Sequence, residues 1–227
     1  MKIEFPQIHS FPKKINPLEH SQRLKLTIIR IKTLFTKKNI KINSDSFIPN
    51  DDIDFGKATF EIENHIGNLI CGYVKDNNDD RLIEIFHFIH FWGGITGRNI
   101  YVKNGGFENN FNLETYKKIV HILIVLNEEN ICKDLNEIQF LFQSIPNIGL
   151  SYASKHISFW SKYANINNIE LPILDSIIAN KLLNTKYFAW RHYCPYVIKM
   201  RKLAKDKNTT VNILERELYN YFNKNKK

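Results

Sequence analysis

Lys155 is a candidate for covalent chemistry because of its type and its apolar neighbours. It lies in Ala153-Ser-Lys-His-Ile-Ser-Phe-Trp160, whose apolar residues are Ala153, Ile157, Phe159 and Trp160. Burial disfavours the ammonium form of lysine, and a partly neutral amine is a nucleophile. Ser151 precedes Lys155 by four residues, about one helical turn, so both side chains are predicted on one helix face. A phosphate-binding or surface lysine is the alternative interpretation.

The segment before Lys155 contains a turn that is suited to binding a phosphate. Ile145-Pro-Asn-Ile-Gly149 stands between two predicted helices, and together they form a helix-hairpin-helix. A tight turn that ends in glycine lets the backbone approach a phosphate closely. The first N–H groups of the next helix then point at that phosphate. We predict phosphate contacts at Pro146, Asn147, Ile148, Gly149 and Ser151; an ordinary corner between two helices is the alternative.

The elements that position these residues are all predicted to be helices, because strand signals are weak throughout. Asp79 and Asp80 are predicted to cap a buried helix, and Asn112 a later one. Asp134-Leu-Asn-Glu137 has the pattern of a capping box. Helices are predicted at about 17–38, 81–92, 112–126, 134–144, 150–163, 175–183, 188–205 and 210–222; the structure of 55–73 stays open.

Charge and cysteine content narrow the class of protein. The net charge of +9 favours a polyanionic partner, either nucleic acid or a membrane surface, although compositional drift toward lysine gives the same balance. Cys71, Cys132 and Cys194 include no CxxC pair, so neither zinc nor iron–sulfur ligand sets are indicated. The low, odd cysteine count suits a reducing cytosol. No apolar run is long enough to span a membrane, and no signal-peptide core is present, so we expect a cytoplasmic protein without a membrane partner.

The hairpin and the segment Leu171-Pro-Ile-Leu-Asp-Ser-Ile-Ile-Ala179 together resemble the helix-hairpin-helix DNA glycosylase superfamily. That superfamily has a Leu-Pro-Gly-Val-Gly hairpin followed by Pro-x-x-Asp, over about 40 residues here. Ala153–Trp160, with Trp92-Gly-Gly94 and Tyr193-Cys194, is more similar to the bacterial 8-oxoguanine glycosylase-like branch. Asn147 replaces a glycine of the pattern, and Asn is the residue that next best tolerates positive φ.

The resemblance implies an all-α fold of two helical lobes with a cleft between them, and an enzyme that excises a base from double-stranded DNA. The expected base is an oxidised purine such as 8-oxoguanine. Asp175 matches the family's acid, which stabilises the developing oxocarbenium ion; a role as helix N-cap alone is the alternative. The family's usual lysine position is Ser151 here, which implies either a base-only enzyme or Lys155 as nucleophile with associated AP-lyase activity.

The same resemblance bears on cofactors and partners. No organic cofactor is implied, and a monovalent cation can lie at the hairpin carbonyls. The iron–sulfur cluster of some relatives is excluded, because Cys194 alone follows the motif. We expect a monomer. A non-catalytic helix-hairpin-helix DNA-binding protein is the competing hypothesis, and it would not need Asp175.

Other candidates carry weaker signals. Trp92 and Gly93 could approach a flipped base or simply end a helix. Arg98 and Asn104 could fill the gap that a flipped base leaves, or belong to a solvated loop. His87 and His90, three residues apart, favour core histidines over metal ligands. We predict one helical domain over residues 1–227, with an extended arm at 1–16 and the hairpin and acid segment at 143–184.

Overall fold

The computed structural model describes residues 55–93, 111–174, 178 and 188–224. These residues are largely helical and include no strand, which confirms the all-α prediction for the described part of the chain. The predicted arm and first helix, the loop residues Arg98 and Asn104, and Asp175 lie outside it. The α-helices are α1 (Phe55–Asp76), α2 (Asp79–Trp92), α3 (Leu113–Val125), α4 (Ile131–Gln143), α5 (Leu150–Ala164), α6 (Tyr193–Asp206) and α7 (Val211–Lys224).

The chain divides into two compact units. One comprises Asn16–Phe111, and its described part contains α1 and α2. The other comprises Asn112–Lys227 with Met1–Ile15, and its described part contains α3 to α7. The predicted hairpin and Lys155 belong to this second unit, whereas Trp92 and Gly93 belong to the first.

The turn between α1 and α2 corrects one predicted cap. The Asn78 side chain, and not Asp79 or Asp80, accepts a hydrogen bond from the Arg81 backbone N–H at 3.1 Å. Both aspartates instead lie in the first turn of α2, where a negative charge is favoured by the helix dipole. Asn78, Asp79 and Asp80 are consecutive, and each is of a type that can cap a helix. The residue that caps α2 is the one whose side chain reaches a free N–H.

Helix α2 is buried on nearly every side, as its sequence predicts. Its core includes Leu82, Ile85, Phe86 and Ile89, each 0% exposed, together with the buried His87 and His90. Burial lowers the pKa of His87 to about 3. His87 and His90 are each 1% exposed and so belong to the core, and the described residues contain no group of three or more side chains that could hold a metal ion.

Mild acid should destabilise α2 through His87. The pKa of His87 is about 3 in the folded protein and 6.5 in the unfolded chain. As the pH falls below 6.5 the unfolded chain binds a proton that the folded protein does not, so the stability that is fully present above pH 6.5 is progressively lost. Between pH 7 and pH 5 the loss is about 2 kcal/mol. Amide hydrogen exchange of Asp79–Trp92 at both pH values should detect it. His87→Gln should flatten this dependence, while the same change at exposed His121 should leave it; an unchanged slope in His87→Gln would contradict the assignment.

The second unit begins with α3, whose predicted cap is confirmed. The Asn112 side chain accepts a hydrogen bond from Thr115 N–H at 3.0 Å. Helix α4 starts at Ile131, earlier than predicted, so Asp134 lies within its first turn and the predicted capping box is wrong. The predicted end of α4 near Ser144 is confirmed, since Ser144 is the C-cap.

A buried aromatic network fastens α3 to α5. Trp160 Nε1 donates to the Tyr116 hydroxyl at 2.9 Å, and this hydroxyl lies 2.7 Å from Nδ1 of His156. All three side chains are 0% exposed. Helix α5 is therefore held rigidly against α3, which matters because α5 carries Ser151 and Lys155.

A disulfide that the sequence did not predict joins α4 to α6. Cys132 and Cys194 are 62 residues apart in sequence, and their Cα atoms lie 5.5 Å apart. The predicted helix at 188–205 is divided into a 3-10 turn at Trp190–His192 and α6. Because disulfides are typical of oxidising surroundings, cysteine usage no longer supports a cytosolic location, which stays a prediction. None of the described helices has the length and apolarity required to cross a bilayer.

Candidate functional site

The hairpin between α4 and α5 adopts the predicted turn. Ser144 ends α4 and its hydroxyl donates to the Leu141 carbonyl at 2.7 Å. Asn147 has a φ of 65°, so it occupies the left-handed region where the family pattern has glycine. Ile148 is only 8% exposed, and thus lies inward as a plug between the two helices would.

Gly149 caps α5 in an extended conformation. Its φ of −82° and ψ of 168° are open to any residue, so positive φ is not the reason for glycine here. Its carbonyl accepts from Tyr152 N–H at 2.9 Å and Ala153 N–H at 3.0 Å, which closes the first turn. A Cβ atom added at Gly149 would meet nothing within 4 Å. Glycine therefore leaves open surface beside the first N–H groups of α5, as close approach of a phosphate requires.

Gly149→Ala should weaken DNA affinity without impairing folding. The backbone accommodates alanine and nothing in the fold crowds its methyl group, so the midpoint of unfolding should stay unchanged. The methyl would occupy the space through which a phosphate approaches, and we expect roughly a tenfold loss of affinity, about the worth of one charge-assisted hydrogen bond. Fluorescence anisotropy with duplex DNA measures this, and Asn136→Ala, a change at an exposed uncharged residue of α4, is the control. Unchanged DNA affinity in a folded Gly149→Ala protein would show that the hairpin does not contact the DNA backbone in this way.

Lys155 lies where the apolar pattern of α5 predicts, with 8% of its surface exposed. Its amine donates to the Ser151 carbonyl at 3.1 Å and to the Ser151 hydroxyl at 3.2 Å. The amine also lies 4.9 Å above the centre of the Tyr152 ring. The predicted common face of Ser151 and Lys155 is thus confirmed. Ser151, which the sequence suggested as a phosphate contact, holds the lysine amine in place.

The chain leading to Asp175 is fastened to the same helix. Ser154, adjacent to Lys155, accepts from Leu174 N–H at 3.0 Å and approaches the Leu174 carbonyl at 3.3 Å. Leu174 is the last described residue before Asp175. The sequence did not single out Ser154, although a signal was present: Ser154 and Ser161 are seven residues apart and lie on the same buried side of α5.

Trp92 and Gly93, which the sequence suggested as base-pocket residues, lie at the end of a helix. Gly93 N–H donates to the Ile89 carbonyl at 3.1 Å, so Trp92 and Gly93 stand at the end of α2, the simpler of the two interpretations. An open cavity of about 350 Å³ lies along α3 and α4, and it is lined by Lys117, Lys118, His121, Ile122, Glu137 and Leu141. It includes none of the predicted site residues.

Comparison of the chain with protein-family models, curated proteins and solved structures finds no match. In its described part this is an all-helical protein in which a hairpin is followed directly by a helix, α5, that contains the buried Lys155.

Proposed function

We propose that this protein is a DNA glycosylase that flips a damaged or modified base out of duplex DNA and breaks its N-glycosidic bond. The buried amine of Lys155, held by Ser151 in the helix that follows the hairpin, carries this proposal. A lysine that only binds phosphate gains by keeping its ammonium in water, because burying a charge costs free energy. Buried, oriented amines are typical of sites where lysine reacts.

The contacts with Ser151 indicate how the amine would attack. Two of its N–H groups are directed at the Ser151 carbonyl and hydroxyl. In the neutral amine the lone pair then points away from this pair of acceptors. The lone pair forms a bond to C1′ of the sugar while the bond from C1′ to the base breaks, and the base leaves with that electron pair and takes up a proton. The attached nitrogen then gives up a proton. Its lone pair forms the C=N bond while the C1′–O4′ bond breaks, and O4′ keeps that electron pair and takes up a proton. The sugar ring is thereby opened, and a protonated imine joins C1′ to the lysine.

Asp175 is proposed to stabilise the positive charge that develops on the sugar. The residue itself lies outside the described part of the chain, and its assignment rests on the Pro-x-x-Asp pattern. The contact between Ser154 and Leu174 supports it, because Leu174 precedes Asp175 in sequence and Ser154 lies in the helix turn that carries Lys155. A carboxylate near C1′ in a partly dry site acts strongly on such charge.

The hairpin and the net charge of +9 supply the proposed contacts with the DNA backbone. An oxidised purine such as 8-oxoguanine is proposed as the base, with Trp92, Gly93, Arg98 and Asn104 as pocket or gap-filling residues. A monovalent cation at the turn would have to use carbonyls before Gly149, because the Gly149 carbonyl already accepts two helical N–H groups.

The Asp175→Asn variant distinguishes a DNA glycosylase from a non-catalytic DNA-binding protein. Labelled duplexes carrying different lesions are incubated with the parent protein, and the products are resolved with and without alkali. We expect release of one class of base by the parent, and a loss of at least roughly 100-fold in Asp175→Asn, comparable to removal of one stabilising group. Affinity for the same duplex should change little. Binding without release by the parent on every lesion would make the protein a non-catalytic binder, and a near-parental Asp175→Asn rate would reduce Asp175 to a helix cap.

A further inference from the structure

Helix α6 concentrates positive charge. Its charged residues are four basic ones, Lys199, Arg201, Lys202 and Lys205, and one acidic one, Asp206. The helices α4 and α7, which pack against α6, mix the two signs: α4 has one basic and two acidic residues, and α7 has two of each. A general enrichment in lysine would favour basic residues in these helices too, so it does not account for the excess in α6.

Part of this charge lies on the side of α6 that is turned away from the core. The buried residues of the helix recur with the helical period and are Tyr193, Tyr196, Val197, Met200 and Ala204. Pro195, Ile198, Lys202 and Lys205 are exposed, three or four residues apart, and therefore form a stripe on the opposite face. We call these four residues the α6 stripe, which extends over about 15 Å of helix.

The two lysines of the α6 stripe differ from the arginine beside them. Arg201 pairs with the Glu128 carboxylate and donates to the Glu170 carbonyl at 3.2 Å, so it fastens α6 to the rest of the unit. Within the described part of the chain, neither Lys202 nor Lys205 takes part in an ion pair. Both ammonium groups are thus available to an anion from outside the fold.

The composition of the α6 stripe fits a nucleic-acid backbone better than a lipid surface. Ile198, one turn before Lys202, is 53% exposed, and a backbone of alternating phosphates and sugars offers partners to both kinds of side chain. A helix that lies in a membrane surface needs a broad apolar face that is free to enter the lipid. The apolar face of α6 is packed into the core instead, with Tyr193 1% and Met200 0% exposed.

The helix that carries the α6 stripe is held firmly within the unit that contains the hairpin. The disulfide joins the first turn of α6 to the first turn of α4, and Tyr193 donates to the Pro172 carbonyl at 2.7 Å. The helix therefore does not have to become ordered when a partner binds. The hairpin follows the last turn of α4, about 20 Å along that helix from the disulfide, so it is a separate place on the unit.

We propose that the α6 stripe is a second surface for the phosphate backbone of DNA, distinct from the hairpin, in which Lys202 and Lys205 each contact one phosphate. The identity of the polyanion as DNA rests on the proposed function. Contacts with phosphates depend little on base sequence, so the α6 stripe adds affinity for any duplex and takes no part in the excision of a base.

The test measures the affinity of the whole chain for a lesion-free duplex over a range of salt concentrations. Lys202→Gln and Lys205→Gln should each weaken binding and reduce the slope of log affinity against log salt by about 0.9, the value for one phosphate contact on duplex DNA. Lys202→Arg and Lys205→Arg keep the charge and should keep the parental slope. The midpoint of unfolding should stay unchanged in all four variants, because both side chains are exposed.

Lys75→Gln is the charge-matched control, since Lys75 is exposed and lies on α1, outside the α6 stripe. It should leave the slope at the parental value. A parental slope in the Lys202→Gln, Lys205→Gln double variant would overturn the proposal, and so would an equal fall in Lys75→Gln, which would indicate an effect of net charge alone. Parental DNA affinity in the double variant, with loss of binding to phosphatidylserine vesicles, would assign the α6 stripe to a membrane surface.

The outcomes also separate this proposal from the proposed glycosylase function. Base release by the parent, with slopes that none of the substitutions changes, would overturn the role of the α6 stripe and leave the glycosylase standing. The expected slopes in a parent that releases no base from any lesion would do the reverse. A parent that does not bind duplex DNA would overturn both.

Discussion

The Lys155→Gln protein should form no covalent adduct with lesion-containing DNA in the presence of borohydride, although the parent does. Borohydride reduces the imine between a lysine amine and C1′ and so makes the linkage permanent. Glutamine has no nucleophilic amine, so trapping and strand nicking should both fall to background. Because a glutamine amide can still donate to the Ser151 carbonyl and hydroxyl, α5 should keep its fold.

Lys162→Gln is the matched control for this result. Lys162 lies on the same helix, with its amine 4.9 Å from the centre of the Tyr163 ring, and it is more exposed than Lys155. The Lys162→Gln protein should keep both adduct and nick. Trapping that survives in Lys155→Gln would show that another lysine attacks. Base release by the parent without any trapping would indicate that water is the nucleophile.

Reduction of the Cys132–Cys194 disulfide should lower the free energy of unfolding by roughly 4 kcal/mol. The bond closes a loop with a sequence separation of 62 residues, so breaking it restores conformational freedom to the unfolded chain. Urea denaturation of the oxidised and reduced protein measures the loss, and mass spectrometry after alkylation verifies the redox state.

Cysteine variants separate this effect from that of the reductant. Cys194→Ser should reproduce the loss in oxidising buffer, whereas Cys71→Ser, a change at an exposed cysteine outside the disulfide, should not. Because the disulfide joins the first turn of α6 to α4, reduction should also raise hydrogen exchange in α6. Alkylation of all three cysteines in protein that was never reduced would contradict the assignment of the bond.

Local signals in the sequence were sufficient to predict much of the helical unit that contains the hairpin. Asn112 caps α3 as predicted, because its side chain meets an N–H only three residues ahead. The left-handed conformation of Asn147 follows from the few residues that tolerate positive φ. Lys155 faces Ser151 because the helix repeat brings residues four apart onto one face. In each case the partners are within one helical turn.

Helix boundaries were harder to predict from the sequence, although the residues that set them are close together in the chain. Helix α1 could not be identified from its sequence, and α4 begins before the acidic residue that was taken as its cap. At Asn78 the sequence offered three neighbouring polar residues, any of which can cap a helix. The packing of the turn determines which of them reaches the free N–H, and a single sequence does not contain that information.

The tertiary structure alone decided the long-range pairs. Tyr116 and His156 are 40 residues apart in sequence, Ser154 and Leu174 are 20 apart, and Cys132 and Cys194 are 62 apart. Residue type and periodicity predict that such side chains are buried, but they do not identify the partner that each will meet. Partner choice depends on how α3, α5 and α6 pack, because a buried polar group is stable only against whichever group that packing presents to it. The sequence by itself therefore determined most helices of the unit that contains the hairpin, the turn at Asn147 and the helix face that Lys155 shares with Ser151. The packing of the helices determined which side chains hold Leu171–Leu174.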